Sequence, residues 1–267
     1  YGTNFPLGRI MNEAMPPSAA TSTRMLFAAL ALAPFLLQLA PALRSTALLC
    51  GCFTALGYVT QSLALVDTPA ATVAFLGAVT VIVCPALAVI VDGKKLGLAD
   101  APQVWLAAAL ALAGVGVLEL GGGAEAGVTM AAGDVFSVLQ AVGFGTSFFI
   151  TERMMTKDPT QALPITATQC AVAALVSGVW ALGDGLGVNV GGLSIAGPEG
   201  GWLLDEAKRQ AYALPGLLLQ PDGSTLRTVC YAALWTGLIT TAANRIAETT
   251  ALGRLNSAEA SVLLATE

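Results

Sequence analysis

Histidine is missing from this chain of 267 residues, and charged residues make up only 11% of it. The absence of histidine removes the commonest metal ligand, the commonest general base and the usual axial ligand of haem. Soluble domains carry about 25% charged residues, so this chain has too few to cover a water-soluble globule. With 55% hydrophobic residues, its natural solvent is the lipid bilayer. The net charge of −5 and the lack of a basic tract argue against nucleic acid as a partner.

The sequence also lacks the residue spacings of a catalytic or metal site. Its five cysteines are scattered through apolar segments, and Cys50-Gly51-Cys52 is too closely spaced for a zinc or thioredoxin motif. Gly121-Gly122-Gly123 joins two apolar segments rather than a strand and a helix, which argues against a phosphate-binding loop. We therefore predict that the chain is not an enzyme and that it holds no metal and no cofactor. No signal or transit peptide is visible in the sequence.

Long apolar runs account for most of the chain. A membrane-spanning helix needs about 20 mainly apolar residues, and the runs are too long and unbroken for the alternating strands of a barrel. They are rich in Ala, Gly, Ser and Thr, which let helices pack closely in lipid. We predict spans over Ala20–Leu39, Ala47–Val66, Ala70–Val91, Pro102–Leu120, Val135–Met154, Leu163–Leu182 and Leu226–Ala247.

Charges in the short connections predict an orientation. We call the end reached after Ala20–Leu39 side B and the opposite end side A. Lys and Arg are confined to the side B connections among the short loops, so the positive-inside rule predicts that side B faces the cytoplasm, or the stroma in a plastid. One connection, residues 183–224, is much longer. Within it, the segment from Trp202 to Arg209 has the pattern of a short amphipathic helix on the bilayer surface; a flexible insertion is the equal alternative.

The chain repeats itself. Gly2-Thr3-Asn4-Phe5 returns as Gly145-Thr146-Ser147-Phe148, and further matches pair Thr54 with Thr241, Tyr58 with Arg245 and Gln61 with Glu248. The matches keep their order, and two apolar half-chains with shared landmarks are typical of a transporter built by duplication. We predict an all-α integral membrane protein with an inverted repeat of five plus five helices.

The repeat divides the chain. We predict a first repeat over residues 1–120, with helices one to five, a linker over 121–131, and a second repeat over 132–267, with helices six to nine and the long loop 183–224. The alignment places Gly2 about as far into its helix as Gly145. We therefore expect seven or eight full spans, partial first and ninth helices, and no tenth helix in this sequence.

Four stretches resemble the EamA-type drug/metabolite transporter superfamily: Gly2–Phe5, Ala64–Leu76 with the following Thr80–Pro85, Leu112–Glu119, and Ser257–Glu267. The close of the sixth helix at Thr151-Glu152-Arg153 is most similar to plant and algal plastid members. The resemblance implies a ten-helix fold of two inverted halves around a central cavity lined mainly by helices one, three, four, six, eight and nine. It implies export or exchange of small metabolites by alternating access. The long loop and the absent tenth helix depart from the family pattern.

Polar groups inside a membrane segment cost several kcal/mol unless they are partnered, so they mark candidate sites. Arg245 and Glu248 are spaced to pair with each other, which is a structural alternative to solute binding. Interhelical hydrogen bonds are the alternative for Gln61, and a favourable interaction with the helix dipole is the alternative for Glu259. The candidates for a substrate cavity are Asn4, Thr54, Tyr58, Gln61, Gln140, Thr241, Asn244, Arg245, Glu248 and Glu259.

Other polar residues fit structural roles better. Arg24 is placed at the head of the second span and Arg227 at the head of the eighth helix, so both are interpreted as anchors at the membrane interface. Gln169 is a polar group in the middle of the seventh helix, and we expect it mainly to bond neighbouring helices.

Two functions compete. The first is a multi-pass secondary transporter whose partners are the lipid bilayer and a small-molecule solute. The second is a structural subunit of a larger membrane complex, such as an algal thylakoid complex, that reuses the transporter fold. In that case other membrane subunits are partners, and lipid or pigment fills the cavity.

Overall fold

The described part of the chain is built from helices. The computed structural model describes residues 3–93, 132–188, 200–207 and 223–264, with single positions between 102 and 117. The first half holds α1 (Asn4–Ala14), α2 (Pro17–Leu32), α3 (Arg44–Asp67), α4 (Ala70–Gly77) and α5 (Thr80–Asp92). The second half holds α6 (Ala132–Lys157), α7 (Ala162–Gly185), α8 (Gly223–Leu234), α9 (Asn244–Ala251) and α10 (Ser257–Leu264). Within these ranges the regular structure is all helical, and no strand is present.

Three short 3₁₀ turns and one π-helical segment complete these elements. The 3₁₀ turns are Ala33–Gln38, Pro41–Leu43 and Pro159–Gln161, and they extend or precede the helices next to them. The π-helical segment Trp235–Ala243 runs without a break from α8 into α9. A π turn is wider than an α turn and is often found at functional sites.

Five helical segments are long and apolar enough to cross a membrane. They are Pro17–Gln38, Pro41–Asp67, Ala70–Asp92, Ala132–Lys157 and Pro159–Gly185. Five of the seven predicted spans are thereby confirmed as helices of membrane-spanning length. Most of the predicted span Pro102–Leu120 and the linker 121–131 lie outside the described residues. The predicted span Leu226–Ala247 is helical throughout, although it is not among the five.

One predicted span differs in detail. Ala70–Val91 was expected to be a single helix, and it is interrupted at Ala78 and Val79 between α4 and α5. At the break, the hydroxyl of Thr80 donates to the carbonyl of Gly77 at 2.7 Å. Gly93, with φ of 63°, ends α5 in the left-handed conformation that favours glycine.

Contacts at the two ends of the bundle establish an antiparallel arrangement. At one end Arg153 contacts Asp92, the backbone N–H of Ser257 donates to Glu152 at 2.9 Å, and that of Ala40 donates to Gln161 at 2.9 Å. These residues belong to side B of the sequence analysis. At the opposite end Ser18 bonds Asp184, and Asn12 donates to the carbonyl of Ser62 at 3.1 Å. The described helices therefore alternate between sides A and B as the loops predict.

Small residues bring the helices of the two halves together. The most extensive helix–helix interface is between α3 and α6. There a Cβ added at Gly143 would lie 2.7 Å from the backbone nitrogen of Gly57. Such backbone approach is possible only for glycine, and it is the packing that the small-residue composition predicts.

Burial is inverted relative to a soluble protein. Large apolar side chains lie outside, and Leu37 is 92% exposed and Ile90 77% exposed. The largest fully buried side chains include Arg245, Gln61 and Gln169. Lipid covers apolar surface without cost, so the polar groups gather in the interior of the bundle.

The described part of the long loop packs on the end of α7. The backbone N–H of Gly201 donates to the carbonyl of Asp184 at 2.8 Å, and that of Leu203 donates to Gly185 at 2.9 Å. Trp202 is buried, residues 200–204 form turns, and Glu206 and Ala207 are helical, so the described part of the predicted surface helix begins at Glu206 rather than at Trp202. Lys208 and Arg209, the rest of the predicted helix, lie outside the described residues.

Candidate functional site

A first buried polar cluster forms around Arg24. One terminal nitrogen of its guanidinium donates to Oδ1 of Asn4 at 2.8 Å, and the other lies 3.4 Å from Oε1 of Gln61. Asn4 in turn donates to Gln61 at 3.1 Å and accepts from Thr240 at 3.2 Å. We call Asn4, Arg24, Gln61 and Thr240 the Arg24 cluster. It joins α1, α2, α3 and the π-helical segment.

A second buried cluster forms around Arg245, in the first turn of α9. Its Nη1 donates to Glu248 at 2.7 Å, which confirms the predicted pairing of these two residues. Its Nη2 donates to Gln169 at 2.7 Å and lies 3.1 Å from Ser147 and 3.2 Å from Thr54. We call Thr54, Ser147, Gln169, Arg245 and Glu248 the Arg245 cluster.

The bonds of the second cluster continue outward. Gln169 donates from Nε2 to Thr151 at 2.9 Å and lies 3.2 Å from the sulfur of Cys50. The same sulfur lies 3.3 Å from the hydroxyl of Thr151. Asn244 donates to the second oxygen of Glu248 at 2.7 Å. The carboxylate of Glu248 is therefore held by an amide and a guanidinium within the membrane-spanning interior.

Each cluster contains a threonine from the opposite half of the chain. Thr54 of α3 lies in the Arg245 cluster, and Thr240 of the second half lies in the Arg24 cluster. Asn4 and Ser147, which the sequence alignment pairs, each lie in one of the two clusters. The polar groups thus connect the two half-chains rather than filling each half separately.

Tyr58 belongs to a buried cluster of aromatic and apolar side chains that also contains Phe144 and Phe148. The guanidinium carbon of Arg24 is 4.9 Å from the centre of the Tyr58 ring. On another side the ring meets Phe144 edge-on at 4.9 Å, and Arg245 lies 5.6 Å from the ring of the neighbouring Phe148. The hydroxyl of Tyr58 is buried without a hydrogen-bond partner among the described residues. Leaving a buried hydroxyl without a hydrogen bond is costly, so the hydroxyl of Tyr58 is a candidate to bond to a solute.

Other predicted candidates are buried but more loosely placed. Thr241 is fully buried, and its hydroxyl has no partner among the described residues. Gln140 is buried in α6, and its amide would lie 2.9 Å from a Cβ added at Gly77. Its Oε1 likewise has no partner in the described ranges.

Glu259 lies apart from both clusters. It is exposed in the first turn of α10, and its carboxylate accepts from the backbone N–H of Asn256 at 3.2 Å. The side chain of Asn256 accepts from the backbone N–H of Glu259 at 2.8 Å. This reciprocal pair is a capping box, and it accounts for an acid at this position without a solute.

The placement of Arg24 corrects its interpretation as an interface anchor. The helix begins at Pro17, so Arg24 lies two turns inside it, and it is only 5% exposed. Proline is favoured as the first residue of a helix, which is consistent with the start at Pro17. Ser147 and Thr240 are not among the candidates predicted from the sequence, and Gln169 is expected there mainly to bond neighbouring helices. Hydroxyls in Ala-rich and Gly-rich helices carry no signal of their own.

A narrow crevice borders the Arg24 cluster. Its walls include Arg24 and Gln61, together with Met11, Asn12, Ser62 and Leu65 from the last turns of α1 and α3. Those turns lie towards side A. The space inside is about 10 Å³, which is about the room that one water molecule needs. In this conformation the crevice is therefore too small for an organic solute.

Metal ligands do not gather anywhere in the described ranges. No group of three or more His, Cys, Asp or Glu residues could hold a metal ion there. The ionic groups of the candidate site are instead two guanidiniums and one carboxylate surrounded by amides and hydroxyls. Such a set binds and orients polar groups by hydrogen bonds.

Comparison with known proteins adds one finding. Residues 1–120 match the model of the EamA-like transporter family. The match covers the first predicted repeat and contains Asn4, Arg24, Thr54, Tyr58 and Gln61. No curated protein matches the chain.

The apolar helices support an integral membrane protein, and residues 1–120 are similar to EamA-like transporters. The all-helical described ranges, with five membrane-length helices, fit that type of protein. The family model does not extend beyond residue 120, so the second repeat stays a prediction from the sequence. A plastid location likewise stays a prediction.

Proposed function

We propose that the protein is a secondary transporter that moves a small organic solute across a membrane by alternating access. The match of residues 1–120 to EamA-like transporters supports a transporter rather than an enzyme. The solute is proposed to bind between the two half-chains, and the halves to rock about it. The basic loops of side B are proposed to face the cytoplasm or stroma.

The observation that carries this proposal is the pair of buried arginine clusters. Arg24 is 5% exposed and Arg245 is 2% exposed, and each sits among side chains from several helices. Charged groups inside a membrane protein are costly and mark substrate or ion pathways. A helix bundle that served only as a scaffold would be held equally well by apolar and small residues.

The clusters are arranged along the proposed direction of transport. In the Arg24 cluster, Gln61 lies six residues before the side A end of α3 and Arg24 lies seven residues after the side A end of α2. In the Arg245 cluster, Gln169 lies seven residues after the side B end of α7 and Arg245 lies six residues before the side B end of α9. Tyr58 lies three residues from Gln61 and four residues from Thr54 along α3, and its ring contacts Arg24 at 4.9 Å. We propose that Asn4, Tyr58, Gln61, Gln140 and Thr241 line the route of the solute, since all are buried polar groups on helices from both halves.

A flux assay in proteoliposomes tests the proposal. The purified protein is reconstituted, and uptake of a broad panel of labelled metabolites is measured with and without unlabelled competitor. We expect saturable flux of at least one small polar solute. The variant Gln61→Leu should lower that flux, whereas Leu37→Ala, on a side chain 92% exposed to lipid, should not.

The flux assay can also contradict the proposed transport function. Folded protein without saturable flux for any compound on the panel would contradict transport. Copurification of that protein with other membrane subunits would then favour the structural role that the sequence analysis left open. No observation in the described ranges favours that role at present.

A further inference from the structure

Arg245 fastens four helices together at a single point. Its guanidinium bonds Thr54 of α3, Ser147 of α6 and Gln169 of α7, and it pairs with Glu248 on its own helix α9. Both terminal nitrogens are engaged, and α3 belongs to the first half of the chain while the others belong to the second. A helix cannot move away from this point without breaking a hydrogen bond to a charged group.

We propose that Arg245 is the latch of a gate that closes the side B end of the transport route. This inference rests on the proposed transport function and assigns the Arg245 cluster to gating rather than to solute binding. In the present conformation the latch is closed. Opening towards side B requires the guanidinium to release Thr54, Ser147 and Gln169 and to exchange them for water.

The depth of the cluster supports this assignment. Arg245 lies six residues before the end of α9, and Gln169 lies seven residues after the start of α7. Its partners Thr54 and Ser147 each lie ten residues from the side B ends of α3 and α6. With a rise of about 1.5 Å per residue, the latch is roughly 10–15 Å inside the side B ends of the helices. This is a natural depth for a constriction between the solute and the aqueous phase.

An apolar plug lies between the latch and side B. Leu43, Ala47, Met154, Met155 and Ile165 form one buried cluster at the side B ends of α3, α6 and α7. Cys50 belongs to the same cluster and also touches the latch through Ser147. The polar latch thus holds together helices whose ends carry a water-excluding seal.

The two ends of the route differ. Both clusters are buried, with no member of the Arg24 cluster more than 5% exposed, but the Arg24 cluster borders the crevice near side A. Glu248 also balances the charge of Arg245 at 2.7 Å, so the latch is satisfied without a solute. A closed side B and a narrowed side A describe one state of an alternating-access cycle.

Cys50 provides a reporter inside the gate. Its thiol is fully buried and lies 3.4 Å from Ser147 and 3.2 Å from Gln169. Charged methanethiosulfonate reagents do not cross membranes and react with thiols in water. In a background with Cys52, Cys84, Cys170 and Cys230 replaced by Ala, labelling of Cys50 from side B measures opening of that end.

The experiment compares matched variants in vesicles of both orientations. In Arg245→Met we expect labelling of Cys50 from side B to rise about tenfold, as expected for loss of a hydrogen bond to a charged group. Labelling from side A should stay unchanged. Arg24→Met removes the other buried arginine and should not accelerate labelling from side B.

If Arg245→Met folds poorly, two variants that disturb the cluster less test the same proposal. Ser147→Ala and Thr54→Val each remove one bond of the latch and leave the ion pair in place, so they should give smaller increases from side B. Unchanged labelling in all three variants would overturn the proposal, and so would equal acceleration in Arg24→Met. The assay needs no solute. Labelling as expected without any flux would contradict transport alone, and flux without these changes would contradict the gate alone.

Discussion

A buried guanidinium needs more acceptors than its own helix supplies. For Arg245 one partner is in the same helix, at Glu248, and the other three come from other helices. For Arg24 the amide oxygens of Asn4 and Gln61 come from two different helices. At the scale of single residues, each arginine therefore fixes the relative positions of its neighbours.

Replacing Gln169 tests this dependence. In Gln169→Leu the guanidinium of Arg245 loses the partner at 2.7 Å and stays buried, and Thr151 loses a donor. A hydrogen bond to a charged group is worth about 1.5–3 kcal/mol, and we expect a loss of stability of that order. The free energy of unfolding is measured in mild detergent by heating or by titration with denaturant.

Gln38→Leu is the matched control. Gln38 is exposed and its amide donates only to the carbonyl of Pro34 within the same turn. Exposed substitutions of this kind change stability by about 0.5 kcal/mol or less. Equal losses in the two variants would mean that the Gln169 contact contributes nothing specific.

At the scale of helices, the close approach of α3 and α6 gives a further prediction. α3 and α6 meet at Gly57 and Gly143, where a Cβ on Gly143 would lie 3.0 Å from the Cα of Gly57. Because the obstacle is backbone, the helices themselves must separate to admit a methyl group. We expect Gly143→Ala to cost about 1–3 kcal/mol in unfolding free energy.

Gly183→Ala is its counterpart on α7. A Cβ there meets nothing within 4 Å, and alanine is the better helix former by about 1 kcal/mol. In thermal melts we expect a lower melting temperature for Gly143→Ala and an unchanged or higher melting temperature for Gly183→Ala. A Gly143→Ala protein as stable as the parent would show that the two helices do not meet as closely as described.

The cap of α10 gives a prediction about Glu259. Gln replaces Glu in capping boxes, so Glu259→Gln should keep both stability and transport. Asn256→Ala removes the other half of the box and should cost about 1 kcal/mol. Flux and unfolding of both variants are the measurements. Loss of flux in Glu259→Gln with normal stability would restore Glu259 to the solute route.

Element lengths follow from hydropathy, and the irregularities do not. Long apolar runs fix the spans because the bilayer sets a minimum length. The break between α4 and α5 and the π-helical segment depend on packing that no single run encodes. The π-helical segment matters for the site, because it carries Thr240 to Asn4 at 3.2 Å.

The residues of the site were predictable where a polar side chain interrupts an apolar run. Asn4, Tyr58, Gln61, Arg245 and Glu248 all stand out in this way and are all buried. Arg24 escaped because its helix starts three residues earlier than the hydropathy suggests, at Pro17 rather than Ala20. Which helix each of them meets is a tertiary property, and sequence periodicity does not specify it.

The antiparallel topology is a property of the whole molecule, and single cysteines test it. Leu204 is exposed on the loop after α7, on side A, and Lys157 is exposed at the side B end of α6. In a cysteine-free background, Leu204→Cys and Lys157→Cys should react with an impermeant maleimide from opposite faces of the membrane. Labelling of both from one face would contradict the arrangement of α6 and α7.

The order in which the Arg245 cluster is synthesised has a consequence for biogenesis. Cys50 and Thr54 leave the ribosome first, Ser147 and Gln169 follow, and Arg245 comes last. Until Arg245 arrives, the amide oxygen of Gln169 lacks its cationic donor. Nascent chains that stop before α9 therefore lack the guanidinium that Gln169, Ser147 and Thr54 bind in the complete fold.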